Sequence, residues 1–352
     1  MNWRRVRTKM AGPESARQER LVFVVGSSRS GTTMMGRILG KHPAVFTFGE
    51  LHFFEQLWSS ADKERRISET EAARLVARLM LVQRQGYLSR GDAKRFCEEA
   101  RGSMATGQSR TYTSAEAFKN FLFYEAAKNG KTIPCDQTPR NVFYIGEILE
   151  LFPEARVINM IRDPRDVLLS QKRKWKRRFL GARGIPLREA LRSWVNYHPI
   201  TVSKLWNASA RAASRFADER VYSLRFEDLL ADPEGAVREV CRFIDIPFNG
   251  SLLEVPQVGS SSGWDRPERK GIDKGRAGSW RKGGVSPTEV FLCERVAGPV
   301  MKRYGYPLTQ VTPNPLRLGW SLASLPAKLL FALLLNLRRM RSIKETIKRR
   351  LL

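Results

Sequence analysis

The stretch Leu21 to Met34, LVFVVGSSRSGTTM, constrains this chain more than any other. The apolar run Leu21 to Val25 reads as a buried strand. Gly26 and Gly31 bound a loop of small polar residues, and Met34, Met35, Ile38 and Leu39 then follow at helical spacing. Strand, glycine-bounded turn and helix start bring free backbone N–H groups and the positive end of a helix dipole to one point, which is an anion cradle. The two glycines have the spacing of G-x-x-x-x-G-K-[ST], whose Lys reaches the β- and γ-phosphates and whose hydroxyl holds Mg²⁺. Here Thr32 occupies the Lys position, and the cation lies inside the loop as Arg29. The loop is therefore expected to hold a phosphate-like group without the metal–triphosphate apparatus.

Two further segments repeat the pattern of strand followed by polar residues. Val157 to Ile161 reads as a parallel strand, with Arg162 at its carboxyl end, where open α/β sheets place their ligands. Pro164 suits the first turn of a helix, and Ser170 follows on that helix. A planar guanidinium binds a dianion bidentately and a hydroxyl adds a neutral donor. Arg162-Asp163 and Arg165-Asp166 also read as solvated surface ion pairs. In the third segment a strand ends at Arg225-Phe226-Glu227-Asp228. A helix then starts near Asp232-Pro233 and carries Val237, Val240, Cys241, Phe243 and Ile244 on one face.

Taken in order, these segments resemble the sulfotransferases that use 3′-phosphoadenosine 5′-phosphosulfate (PAPS). Arg29-Ser30-Gly31-Thr32-Thr33 resembles their 5′-phosphosulfate loop, which implies donor contacts from Arg29, Ser30, Gly31, Thr32, Thr33 and Met34. The resemblance assigns Arg162 and Ser170 to the 3′-phosphate. It places Phe226 near the adenosine, although a core phenylalanine is an equal reading. Lys274-Gly275-Arg276-Ala277-Gly278-Ser279-Trp280 resembles the late K-G-x-x-G-x-W segment, which implies that Lys274 and Gly275 close over the 3′-phosphate. Asp273 departs from that pattern, which has a basic residue before the Lys.

Transfer to a hydroxyl requires a base. Gly49-Glu50 resembles the G-E of tyrosylprotein sulfotransferases, and Glu50-Leu51-His52-Phe53-Phe54 the E-x-H-F-F of heparan sulfotransferases. Glu50 is thus expected to take the acceptor proton, with His52 as the competing base or a packing residue. Arg29, the loop N–H groups and the hydroxyls of Thr32 and Thr33 are expected to stabilise charge on the leaving 5′-phosphate. Many members carry a Lys in the segment matching Cys135-Asp136-Gln137-Thr138-Pro139; here that position is Gln137, with Arg140 as one substitute cation.

The landmarks imply one P-loop-like α/β domain over residues 20–310, a parallel sheet flanked by helices. A basic segment 1–19 precedes it and a basic amphipathic tail 311–352 follows. Residues 67–87, 115–129 and 187–216 have helical periodicity, and 249–284 is expected to be a long loop that orders over the donor. Lys and Arg number 62 against 35 Asp and Glu, a net charge of +27, part of it in Lys172, Lys174, Lys176, Arg177, Arg178 and Arg183. Such an excess suits an anionic donor and raises its association rate. It exceeds what a donor needs, and fits an acidic acceptor, an anionic membrane surface or simply a basic proteome. No helix or finger signature supports specific nucleic-acid binding. The four cysteines have no paired spacing, so neither a disulfide framework nor a metal site is expected.

Residues 316–337 are apolar but interrupted by Arg317, Pro326 and Lys328, and Arg338, Arg339, Arg341, Lys344, Lys348, Arg349 and Arg350 follow. An amphipathic or shallowly inserted helix on anionic lipid fits this better than a span; packing on the domain or on a second subunit is the other reading. No apolar signal segment precedes the first strand. The expected enzyme is cytoplasmic, on the inner face of a membrane, and transfers sulfonate from PAPS to a hydroxyl. A saccharide, glycolipid or other small alcohol is favoured over a protein tyrosine as the acceptor. A Mg²⁺-dependent nucleotide kinase and a non-catalytic membrane- or nucleic-acid-binding protein are the rival classes. Oligomeric state is not legible.

Overall fold

The computed structural model describes residues 19–87, 89, 91–104, 111–176, 185–257, 266–336, 344 and 348. The chain begins with β1 (Leu21–Gly26), α1 (Thr32–Gly40), β2 (Val45–Thr47) and a short α2 (Phe53–Gln56). An insertion follows: β3 (Arg66–Ser68), α3 (Glu69–Gln85), α4 (Cys97–Met104), β4 (Thr111–Thr113) and α5 (Ser114–Lys128). Next come β5 (Ile133–Asp136), α6 (Ile145–Leu151), β6 (Ala155–Ile161) and α7 (Pro164–Lys172). They lead to α8 (Leu187–Val195), α9 (Pro199–Ser214), β7 (Val221–Arg225), α10 (Phe226–Ala231) and α11 (Pro233–Phe243). The last elements are β8 (Pro256–Gln257), β9 (Arg266–Lys270), α12 (Pro287–Arg303) and α13 (Pro315–Asn336).

Five strands form one parallel sheet in the order β2-β5-β1-β6-β7. The central strand β1 is buried along its whole length, because its alternate side chains feed two cores. Leu21, Phe23 and Val25 pack with Phe54, Phe118 and Phe152 on one face; Val22 and Val24 pack with Met35, Ile38, Leu229 and Val237 on the other. The chain leaves β1 for the β2 side while β6 pairs on the opposite side. The loop after β1 therefore opens into the crevice where such sheets bind ligands. Reciprocal Ser/Thr–Glu caps fix the starts of three long helices, α3 (Ser68, Glu71), α5 (Thr113, Glu116) and α12 (Ser286, Glu289).

Two segments differ from the sequence expectation, and the tail is helical as expected. The helical stretch 187–216 is two helices, because Pro199 disfavours helical backbone at the residue before it and suits the first turn of α9. His198 is extended there, and its Nδ1 accepts from the Ile200 N–H. Segment 249–284 is not loop throughout: it carries 3-10 turns and the antiparallel pair β8–β9. The apolar tail is one continuous 22-residue helix, α13, long and apolar enough to cross a membrane. It runs through Pro326, and Lys328 does not interrupt its apolar surface. The Lys328 ammonium donates to the Tyr197 carbonyl at 3.1 Å and lies over the Trp194 ring. The basic segment 1–18, Arg177, Arg178, Arg183 and most of the basic stretch after α13 lie outside the described residues.

Candidate active site

The anion loop has the backbone its glycines announce. Gly26 has φ +145°, and a Cβ there would stand 2.3 Å from the Met160 carbonyl oxygen, so a side chain would pry β1 from β6. At Gly31, φ is +101° and a Cβ would meet the Phe226 ring at 2.4 Å. Arg29 adopts a left-handed φ of 78°, a strained value for a residue that carries a Cβ. Ser30 N–H donates to the Ser27 carbonyl, closing the turn, and Met35 N–H to that of Gly31. The N–H groups of the first turn of α1 have no acceptor within the helix. Gly31, Thr32, Thr33 and Met34 line a cavity of about 710 Å³. Ser30 does not: its side chain is wholly buried behind the loop, with an unpartnered Oγ.

The Arg162 segment closes on the same loop. Arg29 Nε donates to Ser170 Oγ at 2.8 Å, which joins the loop to α7. Arg162 reaches the Arg29 carbonyl at 3.4 Å and the Arg276 carbonyl at 2.9 Å, and stands 3.6 Å from Asp166. Its guanidinium lies over the Phe226 ring, 4.5 Å from the centroid. Phe226 is 2 % exposed, wedged between Gly31 and Arg162, so most of its surface is core. Arg162 Nε is buried without a hydrogen-bond partner beside the cavity that Arg162 lines. An orphaned cationic donor of this kind is costly unless an anion completes it.

Asp163, Arg165 and Asp166 are not solvated pairs. Arg165 is fully buried, holding Asp163 at 2.7 Å and Glu294 at 2.8 Å. Asp166 accepts from the N–H groups of Gly278 and Trp280, each at 2.9 Å. That clamp brings segment 274–282 against α7. Within it Lys274 turns outward, its Nζ on the Ala231 carbonyl, and Gly275 N–H bonds Asp273; neither lines the cavity. The cation this segment does give to the cavity wall is Arg276.

Glu50 sits on the turn between β2 and α2. Thr138 Oγ1 accepts from Leu51 N–H at 3.0 Å and donates to the buried Asp136 at 2.7 Å, which ties the turn to β5. Burial pushes the Asp136 carboxyl up to about 6. Glu50 Oε2 is 3.2 Å from His52 Nε2, His52 Nδ1 is 3.5 Å from Glu55, and Glu55 pairs with Arg140. The Glu50 side chain keeps 46 % of its surface open to the cavity, whereas His52 keeps 8 %. For His52, burial works against the charged form, but Glu50 and Glu55 outweigh it and raise the pKa. For Glu50, burial works upward, but His52 outweighs it and the carboxyl falls below its ordinary value.

Gln137 is buried against Gly36, and its side chain is not on the cavity wall. Arg140, the substitute cation the sequence offered, does line the cavity, and so do four cations that sequence reasoning did not single out for the site: Arg37, Lys174, Arg192 and Arg276. Lys174 follows α7, and burial together with Arg29 brings its ammonium down to about 8. The only sequence signal for it was the basic cluster 172–176, in which Lys172 turns out to pair with Glu289.

The sheet, the cradle and the cavity together define an α/β protein of the P-loop-like class whose cradle takes its cation from within the loop. The chain belongs to the sulfotransferase family, whose sequence profile matches residues 22–250. An uncharacterized protein of Aquifex aeolicus is 25% identical over 272 residues, covering 75% of this chain and 31% of that one. A protein-tyrosine sulfotransferase of Drosophila melanogaster is 25% identical over 239 residues, covering 67% of this chain and 40% of its own. The chain thus matches well under half of the length of these two relatives. Among solved structures, the sulfotransferase domain of the Synechococcus PCC 7002 olefin synthase superposes with a TM-score of 0.51 at 18% identity. That alignment covers 85% of this chain and 99% of that one, and shows the shared fold.

Proposed function

We propose that the protein is a PAPS-dependent sulfotransferase acting on an acceptor hydroxyl. The observation that carries this reading is the meeting of the Arg29 loop and Arg162, whose Nε is buried and unpartnered, at one cavity that Glu50 also faces, with Ser170 holding Arg29 from behind the wall. Arg29 and the N–H groups of Gly31 to Met34 would hold the 5′-phosphosulfate, with Arg162, Ser170 and Arg276 around the 3′-phosphate. When bound, PAPS supplies the sulfonate: the acceptor oxygen gains the bond to sulfur as sulfur's bond to the 5′-phosphate breaks, leaving 3′,5′-adenosine bisphosphate. Glu50 accepts the acceptor proton. His52 also touches the cavity wall but, held between two carboxylates with 8 % of its side chain exposed, keeps Glu50 ionised and oriented, which makes it a positioning residue. Arg29 and Lys174 face the charge that develops during transfer, and Lys174 takes the place of the missing family Lys. Since the donor is made in the cytosol, a cytoplasmic enzyme at a membrane surface is the matching location. The name of the Drosophila relative supports a tyrosine hydroxyl as the second acceptor reading.

Calorimetric titration tests the donor reading. 3′,5′-Adenosine bisphosphate should bind without added metal and much more tightly than ATP with Mg²⁺. Tighter, Mg²⁺-dependent ATP binding would make the protein a nucleotide-triphosphate enzyme instead.

Lys174 predicts a pH dependence. Its ammonium, at about 8 in the free protein, loses its charge as the pH rises through that value. The kcat/KM for PAPS should therefore fall on the alkaline side of about pH 8. Lys174→Arg should carry the high rate to higher pH, because a guanidinium stays protonated there. Lys174→Met should lower the rate at every pH and remove that limb. An alkaline limb that persists in Lys174→Met would assign it to another group.

A further inference from the structure

Helix α8 is turned inside out for a protein in water. Its polar side, including Glu189, Arg192 and Ser193, lines the cavity, while Leu187, Leu191 and Trp194 are 62 %, 53 % and 54 % exposed on the other side. Helix α13 lies alongside. Arg192 Nη1 donates to Asn336 Oδ1 at 2.9 Å, Asn336 Nδ2 donates to Asn196 Oδ1 at 3.0 Å, and Lys328 caps Tyr197. These bonds consume the polar groups on the inner side of α13. Outward lie Leu316, Trp320, Leu330, Phe331 and Leu334, between 55 % and 85 % exposed, with Leu322 and the exposed Arg317 beside them. Leu329, Ala332 and Leu333 belong to the cavity wall, so the apolar platform runs without a break into the cavity that holds Glu50.

We infer that α8 and α13 lie in the surface of an anionic bilayer, and that the acceptor is the hydroxyl headgroup of a membrane amphiphile. Its chain rests along Leu329 and Leu333 while the headgroup reaches Glu50. This rests on the sulfotransferase reading and narrows its acceptor. Three features commit the platform to lipid. Exposed apolar area on two adjoining helices is of the kind that inserts at an interface. Basic residues crowd the sequence beyond α13, among them Arg338, Arg339, Arg341 and Lys344, matching anionic headgroups. And the hydrogen bonds from α13 to α8 hold it against the domain, where it completes the cavity wall, which suits a helix lying in the membrane plane.

The test uses the full chain. Vesicles of phosphatidylcholine with phosphatidylglycerol should pull it down, and vesicles of phosphatidylcholine alone should do so at least tenfold less well. Leu330→Asp with Phe331→Asp, on the outer face and away from the cavity, should weaken vesicle binding at least tenfold. Below its micellar concentration, dodecyl β-glucoside should bind the bisphosphate-loaded protein at least tenfold more tightly than methyl β-glucoside, and Leu333→Asp should erase that difference. The outer-face variant should bind 3′,5′-adenosine bisphosphate as the parent does. If that ligand fails to bind even the parent, the sulfotransferase reading falls, and the vesicle arm still judges the membrane face. Vesicle binding indifferent to the outer-face substitutions overturns the platform, as does a stable dimer that binds no vesicles. Chain-length independence, or a soluble tyrosine peptide that binds better than the alkyl glucoside, overturns the amphiphilic acceptor.

Discussion

Glu50→Gln should lower sulfonate transfer by ~10²–10⁴-fold while leaving the affinity for 3′,5′-adenosine bisphosphate nearly unchanged. The amide keeps the size of the carboxylate and a hydrogen-bonding group but cannot take a proton. The two effects are expected to separate because the Glu50 carboxylate is bound to His52 and faces the cavity. The pH profile separates the two candidate bases. His52 holds the Glu50 carboxyl below its ordinary value, so His52→Ala should let burial push that carboxyl up and move the acid limb of kcat to higher pH. A positioning His52 therefore leaves a displaced but active profile. Collapse of turnover at all pH values in His52→Ala, beside near-normal turnover in Glu50→Gln, would transfer the catalytic role to the histidine. Loss of bisphosphate binding in Glu50→Gln would make Glu50 part of the frame.

Arg162→Ala should weaken 3′,5′-adenosine bisphosphate by roughly 10–10²-fold, from lost charge-assisted hydrogen bonds of about 1.5–3 kcal/mol. Adenosine 5′-phosphosulfate, which lacks the 3′-phosphate, should be barely affected. The comparison is needed because Arg162 also bonds the carbonyls of Arg29 and Arg276 and pairs with Asp166. A role in shaping the loop would cost both ligands alike, and equal losses would identify that role. Arg162→Lys should recover part of the affinity, since it restores the charge but not the bidentate geometry.

Much of the fold was legible because it is written in local sequence. The run Leu21 to Val25 has no polar residue to face water, so it had to be a central strand. Gly26 and Gly31 had to be glycines, because their φ values and their contacts with Met160 and Phe226 leave no room for a Cβ. Short-range signals also placed Arg162 at the end of β6 and Glu50 after β2. They misjudged 187–216, since helical periodicity alone does not weigh the break at Pro199.

The sequence by itself determined the parallel sheet, the glycine-bounded loop and the segments that carry Arg29, Glu50, Arg162 and Ser170, because each depends on neighbours along the chain. Only the tertiary structure decided which side chains share the cavity. It turned Ser30 inward and Lys274 away, brought in Lys174, Arg192 and Arg276, and set His52 between Glu50 and Glu55. Those outcomes depend on packing between segments far apart in the chain, such as the Asp166 clamp on Gly278 and Trp280. The same holds for α13. Its composition fixed an apolar helix, but only its bonds to Asn196, Tyr197 and Arg192 made it a wall of the site, because a side chain's partner across the fold leaves no mark on the residues beside it.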